Sequence, residues 1–308
     1  MDENEKLIQK ADMVIADITG ANGGLLNPKQ SDRFIRTLQD QPTILNEVRV
    51  VPMNSPSQEV NKIAFGEHIL RPAVENTALA EADRAKVGTS KVTLNTKEVI
   101  AEVRLPYGVL EDNIERGNLR NTILDLIAER AALDMEDIII RSDTANGTYT
   151  GSLAVLAQFD GVLKQISSHV VDAGTPASIT PSIFNDAIKA MPGKYRRNRS
   201  QLRFYTSYDL EQDYRLNLSG RATGLGDTIL TGNQGINIFA VPMRGIALMP
   251  NASSVLLDPR NIMLGIQRAV TIEAEKLISE RQWKFVLTAR IDVKLQEEDA
   301  TVKLINLA

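Results

Sequence analysis

The spacing of apolar positions gives the first reading of the chain, because it separates helices from strands. Leu7, Ala11, Val14, Ile15 and Ile18 recur at three- and four-residue intervals, which predicts a short amphipathic helix over residues 1–19. The run Gly20-Ala21-Asn22-Gly23-Gly24 ends it and makes a flexible joint. Asn27-Pro28 marks a second start, an N-cap followed by proline at the first helical position. That helix carries Phe34, Ile35 and Leu38 inward and stops before Pro42. The chain therefore opens either with an arm of two short helices on a hinge or with an ordinary terminal helix pair.

The pattern changes over residues 47–105. Val48-Arg49-Val50-Val51 predicts a strand that Pro52 interrupts, and a second strand fits Val60 to Gly66. A poorly periodic stretch follows from Leu70 to Thr89, with Pro72 and the charged run Glu81-Ala82-Asp83-Arg84-Ala85-Lys86. The return is clear: Val92 and Leu94 alternate, then Val99, Ala101, Val103 and Leu105 face one way. This reads as a long two-stranded excursion with a polar tip. An isolated hairpin is marginal in water, so it lies either on its own domain or on a neighbouring subunit.

Residues 109–142 hold the strongest helical stripe, through Ile123, Leu124, Ile127, Ala131, Leu133 or Asp134, and Ile138. Asp112, Glu115 and Asp125 weight its first half negative and Arg141 closes it, as the helix dipole prefers. Unbroken, it would be about 50 Å long. Residues 143–180 read as loop and short strand. Thr180 and Pro181 start another helix carrying Ile183, Phe184, Ala187, Ile188 and Met191, which ends at Pro192-Gly193. A strand from Gln201 to Thr206, a helix from Tyr208 to Leu216 and a glycine-rich stretch over 218–234 come next. Short strands are expected at Ile236–Val241, Gly245–Met249 and Ser254–Leu257. From Trp283 to Leu295 the alternation is complete: Trp283, Phe285, Leu287, Ala289, Ile291, Val293 and Leu295 take one face, while Lys284, Thr288, Arg290, Asp292 and Lys294 dominate the other. Such a strand spans about 43 Å. It suits a sheet under the long helix, with Ala269–Ala274 and Val302–Ile305 as expected partners.

Composition narrows what this framework can do. The chain has 308 residues, 43% hydrophobic and 24% charged, with a formal net charge of −4. Those values suit one large or two joined globular domains. The acidic balance gives no global sign of a nucleic-acid binder. There is no cysteine, so disulfides and thiolate metal sites are excluded, and the two histidines, His68 and His169, lie far apart. Asp2, Glu3 and Glu5 carry the wrong charge for a signal peptide, and no apolar run approaches a membrane span of about 18 residues.

Catalytic patterns are scarce. No phosphate-binding loop and no Gly-x-Ser-x-Gly elbow is present. Gly224-Leu225-Gly226 lacks the strand and third glycine of a dinucleotide fingerprint. Glu111-Asp112 and Glu297-Glu298-Asp299 read as solvated surface rather than acid/base pairs. The basic run Lys194-Tyr195-Arg196-Arg197-Asn198-Arg199 can touch phosphates, but is expected to answer a helix dipole and pair with neighbouring carboxylates.

The order of parts then resembles a known family. Gly23-Gly24-Leu25-Leu26-Asn27-Pro28, followed by a helix and Val48-Arg49-Val50-Val51-Pro52-Met53, is similar to the start of many major capsid proteins of tailed bacteriophages. Met191-Pro192-Gly193-Lys194-Tyr195-Arg196-Arg197-Asn198 resembles the stretch these proteins carry before a strand of their axial domain. Gly235 to Val241, Met249-Pro250, Leu256-Leu257-Asp258 and Asn261 to Gly265 resemble their axial-to-peripheral return. The likeness spans nearly the whole chain.

The resemblance implies an α+β, Hong Kong 97-like capsid fold: an N-terminal arm (1–46), an extended β-hairpin loop (47–105), a peripheral domain (106–180 and 259–308) whose long spine helix lies over a long antiparallel sheet, and an axial domain (181–258). It implies a homo-oligomer of hexamers and pentamers in an icosahedral shell around double-stranded DNA, without sequence-specific binding, cofactor or membrane. A portal and possible scaffolding or decoration proteins would be its partners, and it would be made in the host bacterial cytoplasm. Candidate inter-subunit contacts are Glu81, Asp83, Arg84, Lys86, Arg196, Arg197 and Arg221. The chain leaves no room for the long cleaved scaffolding segment of some members. Lys86, Lys91 and Lys97 lie in the loop, but no partners for subunit cross-linking are identifiable, so that activity is not implied. The competing readings are a nanocompartment shell of the same fold that encloses an enzyme, and a soluble hydrolase using Glu and Asp, which the scarcity of histidine and cysteine disfavours.

Overall fold

The computed structural model describes residues 44–64, 88–108, 119–220 and 235–307, with Leu70 and Ala80 as isolated positions. The expected N-terminal helices, the loop tip, the first turns of the long helix and the glycine-rich 221–234 stretch lie outside these residues. In chain order the elements are β1 (Arg49–Pro52), β2 (Ser57–Ala64), β3 (Gly88–Asn95), β4 (Lys97–Pro106), α1 (Leu119–Arg141), α2 (Val162–Gln165), β5 (Val170–Asp172), α3 (Pro181–Ala190), β6 (Arg203–Ser207), α4 (Tyr208–Ser219), β7 (Asn237–Ile238), β8 (Val241–Ile246), β9 (Ser254–Leu257), β10 (Ile262–Leu277), β11 (Gln282–Leu295) and β12 (Val302–Ile305). A 3-10 helix over Gly151–Gln158, read from sequence as loop, precedes α2.

The alternation that predicts β11 works as expected. Phe285, Leu287, Ala289, Ile291 and Val293 are all buried. β11 is the centre of a four-stranded sheet in the order β1-β10-β11-β4. Ala269–Ala274 is indeed within its partner β10, but Val302–Ile305 is not a partner. That segment, β12, belongs to a six-stranded sheet in the order β5-β12-β9-β6-β8-β7. Period-two patterning tells which face of a strand is apolar, but not which neighbour it bonds. β5 and β12 thus come from either side of the 181–258 segment to complete its sheet.

Each face of the larger sheet packs on a different core. On one side, α3 and α4 bury Phe184, Ala187, Leu210, Tyr214 and Leu218 against Phe204, Val241, Leu256 and Leu304. Phe184 meets the edges of Phe204 and Tyr214 at centroid distances of 5.1 and 5.3 Å. On the other side, Tyr205, Val255 and Leu257 share a core with Ile138, Ile139 and Ile140 of α1 and with Ile291 and Val293 of β11. The end of α1 is therefore caught between two sheets and buried all round, with even Glu136 only 1% exposed. Its earlier turns keep the one-sided stripe read from the sequence. Gly161 closes against its end: a Cβ there would lie 2.8 Å from the Ile140 carbonyl oxygen, so no side chain fits.

Local start signals mostly hold. Ser207 caps α4 by accepting from the Leu210 amide at 3.2 Å. Thr180 occupies the α3 N-cap position, but its hydroxyl pairs with Ser182 instead. The strand expected over Ile236–Val241 is split by a two-residue turn at Phe239-Ala240, both at positive φ, and β8 falls at Val241–Ile246 rather than 245–249. β2 begins three positions before the expected Val60.

Candidate functional site: the assembly surfaces

The predicted excursion is an antiparallel stem, running from Ser57 opposite Asn95 to Ala64 opposite Gly88. Its base is fastened to the four-stranded sheet. Leu94 is fully buried, and Leu94 and Met53 both crowd the bare backbone of Gly265. The Asn95 amide donates to Asp292 Oδ2 at 2.6 Å. Near the outer end of the described stem, opposite Ser90, Lys62 Nζ donates to the Gln296 carbonyl at 2.7 Å and meets Glu297 Oε2 at 3.2 Å. Around this tie the stem is otherwise bare: Ile63 is 72% exposed, and Gly88 to Lys91 are exposed too.

Asp292 corrects the reading of β11, which placed it on the polar outer face. It is buried, and burial raises its carboxyl pKa although the Asn95 and Val293 amides donate to it. The reason is long-range: the hairpin base crosses the sheet there and brings an orphan amide for the carboxylate to satisfy. No local pattern carries that information.

A second surface is an apolar cleft of about 600 Å³ between α1 and the sheet, lined by Val99, Val103, Ile123, Ile127, Val270 and Leu287. Ile123, Ile127 and Ala131 of the predicted helical stripe, all half-buried, thus line the cleft.

Of the sequence-predicted contact residues, Glu81, Asp83, Arg84, Lys86 and Arg221 lie outside the described residues. Arg196 and Arg197 stand in the turns after α3. Among the described residues no ion pair joins the basic run to a carboxylate, and Arg196 is half-buried. Lys194 instead sits over the Tyr195 ring at 4.5 Å. Arg197, Lys194, Arg49 and Arg260 line a polar cleft of about 480 Å³ together with Asp258 and Glu297.

The carboxylate run at 297–299 is structural. Glu298 Oε1 accepts from the amides and hydroxyls of Ser167 and Ser168 at 2.7–3.0 Å. These bonds, the Ser167 hydroxyl foremost, hold its carboxyl pKa down from 4.5 to about 2. Its folded pKa lies below the unfolded one, so its stabilisation is present above about 4.5 and is lost as pH falls toward 2. Discounted for partial exposure, Glu298→Gln is expected to cost about 1 kcal/mol at pH 7. In urea unfolding at pH 7, 4 and 2.5, the gap between wild type and variant should close with acid, and a constant gap would contradict this account. His169 Nε2 lies 3.9 Å from Asp299, while His68 and Glu111-Asp112 lie outside the described residues. Among the described residues no group of three or more His, Asp or Glu side chains is arranged to hold a metal ion. No described helix is long and apolar enough to cross a membrane.

A mixed fold of two sheets around a long helix, with a hairpin reaching out from one of them, is what comparison with known proteins places in a family. The phage capsid family model matches residues 22–305, so the chain belongs to the phage capsid family. It is 41% identical over 316 residues to the putative prophage capsid protein YqbE of Bacillus subtilis (strain 168), covering 99% of both chains. Among solved structures, the capsid of a native GTA particle aligns with a TM-score of 0.66 at 15% identity, over 96% of this chain and 99% of that one. The SrpI encapsulin of Synechococcus elongatus PCC 7942 aligns with a TM-score of 0.60 at 12% identity, over 92% of each chain. The chain is thus a phage capsid protein with the Hong Kong 97-like fold expected of it.

Proposed function

We propose that this chain is the major capsid protein of a tailed bacteriophage, closing as hexamers and pentamers into an icosahedral shell around double-stranded DNA. The observation that carries the reading is the end-to-end 41% identity to a prophage capsid protein. The uncovered outer stem supports it, because a marginal hairpin gains stability by lying on a neighbouring copy. Residues 1–46 serve as arm, 47–105 as extended loop, 106–180 and 259–308 as peripheral domain and 181–258 as axial domain, with β5 and β12 joining the axial sheet across that boundary. Glu81, Asp83, Arg84, Lys86, Arg196, Arg197 and Arg221 serve as contacts between copies. Several weak contacts per chain add up to a stable closed shell. A portal, and scaffolding or decoration proteins, are its partners in a virion assembled in the bacterial cytoplasm.

Negative-stain microscopy of the purified chain, alone and with lysate of its source, tests this. Closed angular shells tens of nanometres across, holding nuclease-protected DNA when taken from source cells, are expected. Shells holding only an enzyme would shift the reading to a nanocompartment, the fold of the SrpI neighbour. Monomers or small discrete oligomers under all conditions would overturn both.

A further inference from the structure

Ile238 pairs with Val241, which leaves Phe239 and Ala240 as a two-residue turn between β7 and β8. Both have positive φ, 50° and 69°. Turns of this shape favour Asn-Gly, because a side chain there is strained, and an aromatic ring is an unusual occupant. Ile238 and Val241 on either side are buried, so the turn is held firmly, yet Phe239 stands 49% exposed. Arg199 Nη1 donates to the Phe239 backbone carbonyl at 3.5 Å, which puts a cation at the same turn.

The β7–β8 turn marks one edge of the six-stranded sheet, and β5 forms the other. The connection leaving β5 meets α4 and the end of the chain around a hollow of about 330 Å³, lined by Pro176, Ala177, Ile179, Asp213, Leu216 and Leu307. It is mostly apolar, and Leu216 on its rim is 69% exposed. Asp213 supplies one negative charge, and no ion pair reaches Asp213 or Arg199 among the described residues. One edge of the sheet thus carries an apolar knob with a cation, and the other an apolar hollow with an anion.

We infer that Phe239 of one copy seats in the Pro176–Leu216 hollow of the next, with Arg199 meeting Asp213, so that this contact passes from copy to copy around each ring. Different patches on opposite edges make a head-to-tail interface, which closes when its rotation divides a full turn. A central aromatic with a charged rim is the usual anatomy of an energetic hot spot. The inference rests on the shell reading and names a contact within it.

The chain has no cysteine, so introduced ones report cleanly. A double variant, Phe239→Cys with Ser178→Cys in the lining of the hollow, co-assembled with an equal amount of wild-type chain so that shells form while about half of the variant copies adjoin another, should give cross-linked dimers on non-reducing gels after oxidation. Neither single variant should. Phe239→Gly, which suits the positive φ and removes the exposed side chain, should fold as well as wild type while the assembled fraction drops roughly ten-fold or more. Wild-type-like assembly of Phe239→Gly, shells without the cross-link, or a dimer from Phe239→Cys alone would each overturn the inference and leave the shell reading intact. Failure of the wild-type chain to form shells would overturn both.

Discussion

Replacing residues 60–92 with a short Gly-Ser linker is expected to leave a folded subunit that no longer closes into shells. Among its described residues none enters either hydrophobic core, and most of them are exposed. The anchors at Met53, Leu94 and the Asn95–Asp292 bond remain. The largest described loss is the half-buried Lys62 contact with Gln296 and Glu297, worth about 1 kcal/mol. The urea midpoint should therefore move little. Assembly should fall below detection in sedimentation velocity, because a shell held by the sum of many weak contacts loses one from every copy. Shells from the truncated chain at wild-type yield would remove the hairpin from the assembly mechanism. A collapse of subunit stability would mean that it packs on its own domain.

Two leucine-to-alanine changes should differ sharply. Leu304 is 0% exposed on β12, between β5 and β9, and its loss should cost about 2–5 kcal/mol. That is a large share of the 5–15 kcal/mol roughly expected for a folded protein. Leu216 on α4 is 69% exposed, and the same change there should stay within about 0.5 kcal/mol. Urea unfolding of unassembled subunits measures both. Equal costs would contradict the placement of β12 inside the sheet.

That pair shows where reading by pattern stops. β11 was legible because alternation is a local property: one face of a strand must be apolar to be buried, whatever it packs on. The α3 start was legible because proline suits only the first helical turn. The family resemblance was legible because short motifs kept their order along the chain. The turn at Phe239-Ala240 was not, because it lacks the glycine or asparagine that announces such turns. The buried Asp292 was not, because its partner amide is remote in the chain. The hollow beside α4 was not, because three separate segments line it.

Local spacing of apolar, capping and breaking residues determined where most strands and helices lie, the long helix over a sheet and the hairpin, and motifs in their order along the chain carried the resemblance to the capsid family. Tertiary structure alone decided that β12 joins the six-stranded sheet, that the end of α1 is buried on every side, and which exposed apolar residues remain for other copies. The physical reason is that a residue's period along the chain reports the shape of its own element. Its burial and its partners depend on segments about 50 to 200 residues away, brought close only when the sheets pack.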